Sequence, residues 1–330
     1  VFCIHDSYDQ PYINSNFDDV QYKAIASANI SRIFALVEKS WSTENHDYRR
    51  TGFTLLKGDM PNANAVEKMS FVLKSGFDDQ EQVVKATVAD LDNNDAIDTV
   101  TLVHRIAGNN ETEIHAVEME KKKNLLSSGY KTKVTKKWNA TAQGGAIYFP
   151  ATLANIDSDD RKEVITGVRN GTVYAYDVSS SGKSVSQRWA YHLTQKWSAL
   201  AGYYRTYFNG GTAVVDIDLD GNNEIVFADV FESDSGWSGE VYVLKDNGAG
   251  NTPTKFANKT FGNGGAYATI SIANVDSDDN PEIIVPSLYG IYVFDYNPSV
   301  SGKLSTKWSN TDGKIESSAV IADVDMDNQY

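Results

Sequence analysis

The sequence predicts an all-β protein made of repeated four-stranded units, arranged as the blades of a β-propeller. Three observations predict it. An acidic loop returns at regular intervals along the 330 residues, and short β-prone runs flank each copy in the same order. No long stretch shows the 3.6-residue period of a helix. The loops begin 49 to 65 residues apart, which suits one four-stranded blade per repeat.

The acidic loop occurs four times in full and begins a fifth time. Oxygen-bearing side chains stand at positions 1, 3, 5 and 9, and the backbone carbonyl of position 7 offers another oxygen. Positions 1, 3, 5, 7 and 9 are Asp90, Asp92, Asn94, Ala96 and Asp98; Asn155, Asp157, Asp159, Arg161 and Glu163; Asp216, Asp218, Asp220, Asn222 and Glu224; Asn274, Asp276, Asp278, Asn280 and Glu282; the fifth copy has Asp323, Asp325, Asp327 and Gln329. Calcium binds six to eight hard oxygen ligands, so the loops predict four to five structural Ca²⁺ sites.

Two other interpretations compete for these loops, an EF-hand and a solvated turn. An EF-hand closes with a Glu at position 12 between two helices, whereas these loops close at position 9 between strand-like runs. Solvated Asp/Asn-rich turns would explain one loop, but not five in register. Position 6 is Gly221, Asp95, Asp160, Asp279 or Asn328. These residue types tolerate a left-handed backbone, so the sequence predicts the same sharp turn in every loop.

The strands around each loop repeat as well. A small β-prone run precedes the loop, at 86–89, 151–154, 212–215, 269–273 and 318–322. An apolar strand follows, at 164–165, 225–227 and 283–285, and then an alternating strand at 171–176, 239–244 and 290–294, with 112–117 as a degenerate copy. A further strand is expected to end in a basic residue followed by Trp138, Trp189 or Trp308. This order is typical of an all-β repeat.

The repeat also sets the predicted domain limits. Residues 22–330 form the propeller domain, with five complete repeats and the start of a sixth. The first repeat keeps its strands at 23–29, 32–37 and 52–56 but has lost its acidic loop. Residues 1–21 close an earlier blade or form a lead-in. The chain stops inside the fifth loop, so we expect the full protein to continue and to contain seven or eight blades.

The repeat residues carry a family resemblance. The run 264–266, the loop with Asn274, Asp276 and Asp278, and the strands at 282–285 and 290–294 together resemble the FG-GAP repeat of integrin α-subunit heads. They are equally similar to the VCBS repeats of secreted microbial proteins. The resemblance covers about residues 22–330. It implies a propeller whose hairpin loops are held by calcium and a role in binding, adhesion or surface structure. Since the first repeat lacks its loop, the resemblance implies no metal site there.

Charge and composition limit the classes of binding partner that the protein is expected to have. The net charge of -14 disfavours nucleic acid and anionic membrane surfaces. No apolar run approaches the roughly 20 residues of a membrane-spanning helix, so direct membrane insertion is not expected. Calcium is plentiful outside the cell, and an extracellular location is therefore predicted. Five glycosylation sequons, at Asn29, Asn110, Asn139, Asn170 and Asn258, favour the same location.

The sequence favours a binding module over an enzyme. Its five histidines are scattered and no nucleophile or phosphate-loop motif occurs. The alternative is a polysaccharide lyase similar to the rhamnogalacturonan lyases, which use a calcium-loop propeller. The candidate ligand surface consists of aromatic residues that suit a protein or glycan partner: Trp197, Tyr203, Tyr204, Tyr207 and Trp237. The competing interpretation is that these aromatic residues belong to an outer strand and pack in the core. Self-association into a surface assembly is a further expected type of partnership.

Overall fold

The computed structural model describes residues 81–321, except 84–85, 95, 106–110, 124–129, 146, 148, 194–196, 199–202, 205, 209, 234–235, 263, 277, 314 and 316. This part consists of strands and turns without a helix, which confirms the all-β prediction. Within it, no helix is long and apolar enough to cross a membrane. The first repeat, the sequons Asn29 and Asn110 and the fifth loop from Asp323 lie outside the described residues.

After a short strand β1 (Glu81–Val83), four antiparallel four-stranded units follow one another, called blades 1 to 4 here. Blade 1 contains β2 (Thr87–Ala89), β3 (Ile97–Arg105), β4 (Glu111–Lys123) and β5 (Tyr130–Gln143). Blade 2 contains β6 (Thr152–Ala154), β7 (Glu163–Val168), β8 (Thr172–Val178) and β9 (Val185–His192). Later in the chain, blade 3 contains β13 (Ala213–Val215), β14 (Glu224–Ala228), β16 (Gly236–Lys245) and β17 (Thr254–Phe261). Blade 4 contains β18 (Ser271–Ala273), β19 (Glu282–Ser287), β20 (Gly290–Tyr296) and β21 (Leu304–Asn310). The four-stranded order is compatible with propeller blades.

Blade 3 is enlarged by an insertion between blades 2 and 3. The insertion contains β10 (Trp197–Ser198) and β11 (Tyr203–Tyr204), which form a separate two-stranded sheet, and β12 (Thr206–Tyr207), which joins the sheet of blade 3. Strand β15 (Val230–Ser233) follows β14 and lies between β12 and β16. Strand β10 pairs with β11, β12 pairs with β15, and β15 pairs with β16. Two aromatic segments that are distant in sequence are thereby joined in one sheet.

The core lies between successive blades. Adjacent residues of a strand point to opposite faces of its sheet, so Val164 packs toward blade 1 and Ile165 toward blade 3. A third cluster, which includes Phe294, fills the space between blades 3 and 4. The first strands of the four blades are short and adjoin one another in order. Their small β-prone residues suit this crowded position, as the sequence predicts.

Each outermost strand carries a β-bulge at the same place. The register against the third strand of the blade shifts by one residue, which leaves Lys137, Arg188, Phe256 or Lys307 as the extra residue. The prediction that these strands end at the basic residue and its tryptophan is therefore wrong. The strands continue beyond Trp138, Trp189 and Trp308, and the basic residue sits at an interior bulge.

The run 318–322 also differs from its prediction. Residues 317–321 form no strand in the structure, and residue 322 lies outside the described part. Ser271 at the start of β18 donates a hydrogen bond from Oγ to the carbonyl of Ala319 at 2.9 Å. The segment thus lies beside blade 4 without pairing as a strand.

Candidate metal centres

Each acidic loop connects the first and second strands of its blade. The carboxylates converge there because the loop folds back on itself between two paired strands. In each of the four complete loops, three carboxylate oxygens from different side chains lie within 4.8 Å of one another. The clusters are Asp90, Asp92 and Asp98; Asp157, Asp159 and Glu163; Asp216, Asp218 and Glu224; and Asp276, Asp278 and Glu282. These four clusters could each hold a metal ion.

The acid at position 9 anchors every loop. It stands at or next to the start of the second strand and is at most 1% exposed in all four blades. One carboxylate oxygen accepts the backbone N–H of loop position 2, from Leu91, Ile156, Ile217 or Val275, at 2.7 to 3.1 Å. This shared hydrogen bond explains why an acid is needed at this spacing. It fixes one oxygen and leaves the other oriented toward the cluster.

Buried carboxylate oxygens without hydrogen-bond partners test whether the loops suit a cation. Asp98 Oδ1 and Asp218 Oδ1 are buried in this way, and buried Glu224 Oε1 has only a long contact of 3.4 Å with Lys245 Nζ. Burial raises the pKa of Asp98 to about 7 and that of Glu224 to about 7. Burial likewise raises the pKa of Glu163 to about 8. An ionised oxygen held out of water is costly unless a positive charge compensates it. The donor set therefore fits a cation that prefers oxygen ligands.

Position 5 shapes the second half of the loop. Its side-chain oxygen accepts the backbone N–H of position 7 in every complete loop, at 2.7 to 2.9 Å. This Asx turn reverses the chain at the cluster. It also explains the preference for Asp or Asn at position 5, since both provide the accepting oxygen. The predicted contribution of the carbonyls of Ala96, Arg161, Asn222 and Asn280 stays a prediction.

The loops adopt two forms, which follow the residue at position 1. Where it is Asp, as at Asp90 and Asp216, its carboxylate accepts the N–H of position 5 at 2.9 to 3.0 Å. Where it is Asn, as at Asn155 and Asn274, the amide donates to the carbonyl of position 5. An ionised Asp cannot make that bond because it has no donor. The choice of side chain thus selects the loop form.

The two forms recruit different acids. In the Asp-first loops of blades 1 and 3, positions 1, 3 and 9 make the cluster. In the Asn-first loops of blades 2 and 4, positions 3, 5 and 9 make it. The prediction that all these loops share one geometry is therefore wrong in this detail. The predicted left-handed backbone at position 6 occurs at Gly221 but not at Asp160 or Asp279. The Asp-first loops also have a left-handed residue at position 4, which is Asn93 or Leu219.

A basic side chain reaches every cluster. Lys137 Nζ lies 3.2 Å from Asp92 Oδ2 in blade 1. Arg188 Nη1 lies 2.9 Å from Asp157 Oδ2 in blade 2. In blade 3, Lys245 Nζ lies 2.9 Å from Asp218 Oδ2 and 3.4 Å from Glu224 Oε1. In blade 4, Lys307 pairs with Asp276 and lies 2.9 Å from Glu282 Oε1. The sequence pattern alone gives these residues no role, although a basic residue directly precedes Trp138, Trp189 and Trp308.

The predicted ligand residues lie in two sheets. Trp197 pairs with Tyr204, and Ser198 with Tyr203, in the separate two-stranded sheet of β10 and β11. Tyr207 pairs with Val230 in β15, whose strand runs beside Trp237 in β16. Tyr207 and Trp237 are both half-buried. The competing core interpretation applies to Phe208, which is buried 5.8 Å from the ring of Phe227.

The three described sequons differ in accessibility. Asn139 and Asn170 are exposed. Asn258 is half-buried, and its Nδ2 donates to Glu240 Oε1 at 2.7 Å. Since glycan attachment requires this nitrogen, Asn258 is the least suitable of the three acceptors. Asn139 and Asn170 retain their predicted suitability.

Comparison of the chain with protein-family models and with curated proteins finds no match.

Proposed function

We propose that this chain is a calcium-stabilised β-propeller module that works outside the cell, where it binds a protein or glycan or forms part of a surface assembly. The observation that carries the proposal is the recurrence of one buried acidic cluster in the same hairpin of four successive blades. A site repeated in each of these four blades serves the scaffold they form. The resemblance to FG-GAP and VCBS repeats supports the same assignment.

The ligand chemistry favours calcium among the metal ions. Every cluster offers carboxylate oxygens and neither cysteine nor histidine. Soft transition metals prefer sulfur or imidazole, and Mg²⁺ requires near-ideal octahedral geometry with retained waters. Calcium accepts irregular oxygen shells, which suits loops that exist in two forms. Its abundance outside the cell supports the extracellular assignment.

Calcium is expected to raise the melting temperature of the protein in a concentration-dependent way, because an ion that binds only the folded state stabilises it by mass action. The measurement is thermal unfolding in excess EDTA and in increasing CaCl₂ or MgCl₂ at constant ionic strength. Magnesium should have a smaller effect. Equal melting temperatures in EDTA and calcium would contradict the proposal.

The enlarged sheet of blade 3 is the proposed ligand surface. Tyr207 on β12 and Trp237 on β16 present aromatic area on the two strands that flank β15, and Arg169 lies 5.7 Å from the centre of the Tyr207 ring. Aromatic rings of this kind stack on sugars and dominate protein interfaces. Insertion of this sheet into an otherwise regular repeat indicates a purpose beyond the scaffold.

A Tyr207→Ala/Trp237→Ala double variant is expected to lose retention on a panel of immobilised polysaccharides and extracellular matrix proteins, with a loss of roughly tenfold or more in affinity if both rings are hot spots. Trp308→Ala removes an exposed ring from the outermost strand of blade 4 and serves as the control. Equal retention of both variants would exclude this surface. Calcium-dependent release of unsaturated products from pectic rhamnogalacturonan would instead support the lyase alternative.

A further inference from the structure

We propose that Lys137, Lys245 and Lys307 are tethered counter-ions that occupy three of the acidic clusters and leave them when a metal ion binds. The inference rests on the proposed metal binding and adds a competition that sets the affinity of each site. It concerns the basic residues, whose function the repeat pattern does not reveal. Two cations cannot share one small cluster without strong repulsion, so an ammonium and a metal ion exclude each other.

Of the three lysines, Lys245 most closely takes the place of a bound metal ion. Its Nζ lies 2.6 Å from Asp220 Oδ2, 2.9 Å from Asp218 Oδ2 and 3.4 Å from Glu224 Oε1. One ammonium thus contacts the carboxylates of positions 3, 5 and 9 together. Two of these acids, Asp218 and Glu224, belong to the cluster that would hold a metal ion. The Lys245 side chain is 25% exposed, so solvent is open to it when it leaves.

The β-bulge explains how a cation reaches the loop in the other blades. An extra residue in the outermost strand turns its side chain across the third strand toward the cluster. Lys137, Arg188 and Lys307 all occupy this bulge. Blade 3 has Phe256 at the bulge, and there the cation comes from the third strand instead. Blade 3 therefore also places a basic side chain at its cluster, but this side chain comes from the third strand and not from the outermost one.

The third strand provides an alternative partner for the cation. At the place that Lys245 occupies in β16, the other blades have Glu118, Asp177 or Asp295, each in the same register beside the bulge. Arg188 already contacts Asp177 at 2.8 Å, and Lys137 Nζ lies 2.5 Å from Glu118 Oε2. Asp295 Oδ1 is buried without a hydrogen-bond partner, while Lys307 lies in the loop. We infer that these acids hold the displaced cation.

Blade 3 offers no such acid, since Lys245 itself stands at that position. Its ammonium lies 4.3 Å from the centre of the Phe256 ring, which can hold a cation by its π face. When a metal ion binds in blade 3, the Lys245 ammonium exchanges contacts with three carboxylates for contacts with one ring and water. Among the four blades, this exchange is the least favourable. The site in blade 3 should therefore bind metal more weakly than its four acidic side chains suggest. The site in blade 2 should bind most readily because Arg188 has other partners.

The experiment compares wild type with Lys245→Met/Lys307→Met by calorimetric titration of the whole chain with CaCl₂. The two substituted sites should gain at least about fivefold in affinity, the lower end of typical coupling between competing ligands. In EDTA the same variant should have a lower melting temperature than wild type, because its carboxylates have lost their counter-ions. The control Lys255→Met/Lys259→Met makes the same change in net charge on β17, outside the acidic loops.

The outcomes separate this inference from the proposed function. Wild type that binds no calcium would overturn metal binding itself. Calcium binding that is unchanged or weaker in Lys245→Met/Lys307→Met, relative to the control, would overturn the competition and leave metal binding intact. If that variant does not fold in EDTA, the single Lys245→Met variant replaces it, since it leaves Lys307 in place at the cluster of blade 4.

Discussion

The Asp246→Ala variant is expected to unfold with a free energy about 3–5 kcal/mol below that of wild type, because it leaves a buried guanidinium without its main partner. Asp246 Oδ1 and Oδ2 accept two parallel hydrogen bonds from Arg188 at 2.9 and 2.7 Å, and Oδ1 also accepts Trp189 Nε1–H at 2.7 Å. Arg188 is only 6% exposed. The pair joins the outermost strand of blade 2 to the end of β16 in blade 3.

Urea unfolding in EDTA measures this effect apart from any metal. Asp246→Asn keeps one accepting oxygen and should lose less than the alanine variant. Asp312→Ala removes an exposed carboxylate and should change the free energy of unfolding by less than about 0.5 kcal/mol. If Asp246→Ala and Asp312→Ala were equally stable, the contact between blades 2 and 3 would not depend on this ion pair.

The Glu224→Gln/Glu282→Gln variant is expected to lose most of the calcium-dependent stabilisation at two sites. An ion present at 100 times its dissociation constant adds about 2.7 kcal/mol per site to the free energy of unfolding. The amide oxygen of Gln can still accept the N–H of Ile217 or Val275, so the loop keeps its anchor. What disappears is the negative charge that faces the metal. Unfolding in calcium and in EDTA gives the difference directly.

In EDTA this variant should differ little in stability from wild type, because relief from burying two ionised carboxyls is offset by the loss of their contacts with Lys245 and Lys307. The carboxyls of Glu224 and Glu282 are buried, and burial raises the pKa of both, so the ionised form is costly in the folded state. Glu111→Gln/Glu113→Gln makes the same charge change on β4, away from the loops, and should keep the full calcium response. A full response in Glu224→Gln/Glu282→Gln would show that position 9 does not contact the ion.

The sequence predicts the strands and loops well because each repeat encodes them locally. Alternation in 171–176 and 239–244 marks the third strands, and Gly and Asn bound them. The acid at position 9 is predicted from its spacing alone, and the structure places all four complete copies in clusters. Such features depend on neighbours in the chain, so one sequence reveals them.

Features that depend on pairing between strands were not predictable in the same way. A bulge at Lys137 or Lys307 is a property of two strands in register, and neither strand alone shows it. The two loop forms depend on whether position 1 can donate a hydrogen bond, a difference between Asp and Asn that an oxygen-ligand pattern treats as equal. The meeting of Tyr207 and Trp237 requires the pairing of β15 with two other strands.

The repeated bulge also protects the protein from aggregation. The outermost strand of a blade is a sheet edge, and a flat edge invites pairing with strands of other molecules. A bulge twists that edge and breaks the regular ladder of donors and acceptors, while lysines such as Lys136 and Lys259 place charge along it. The bulge that directs a basic side chain to the loop in blades 1, 2 and 4 therefore also disfavours edge-to-edge association.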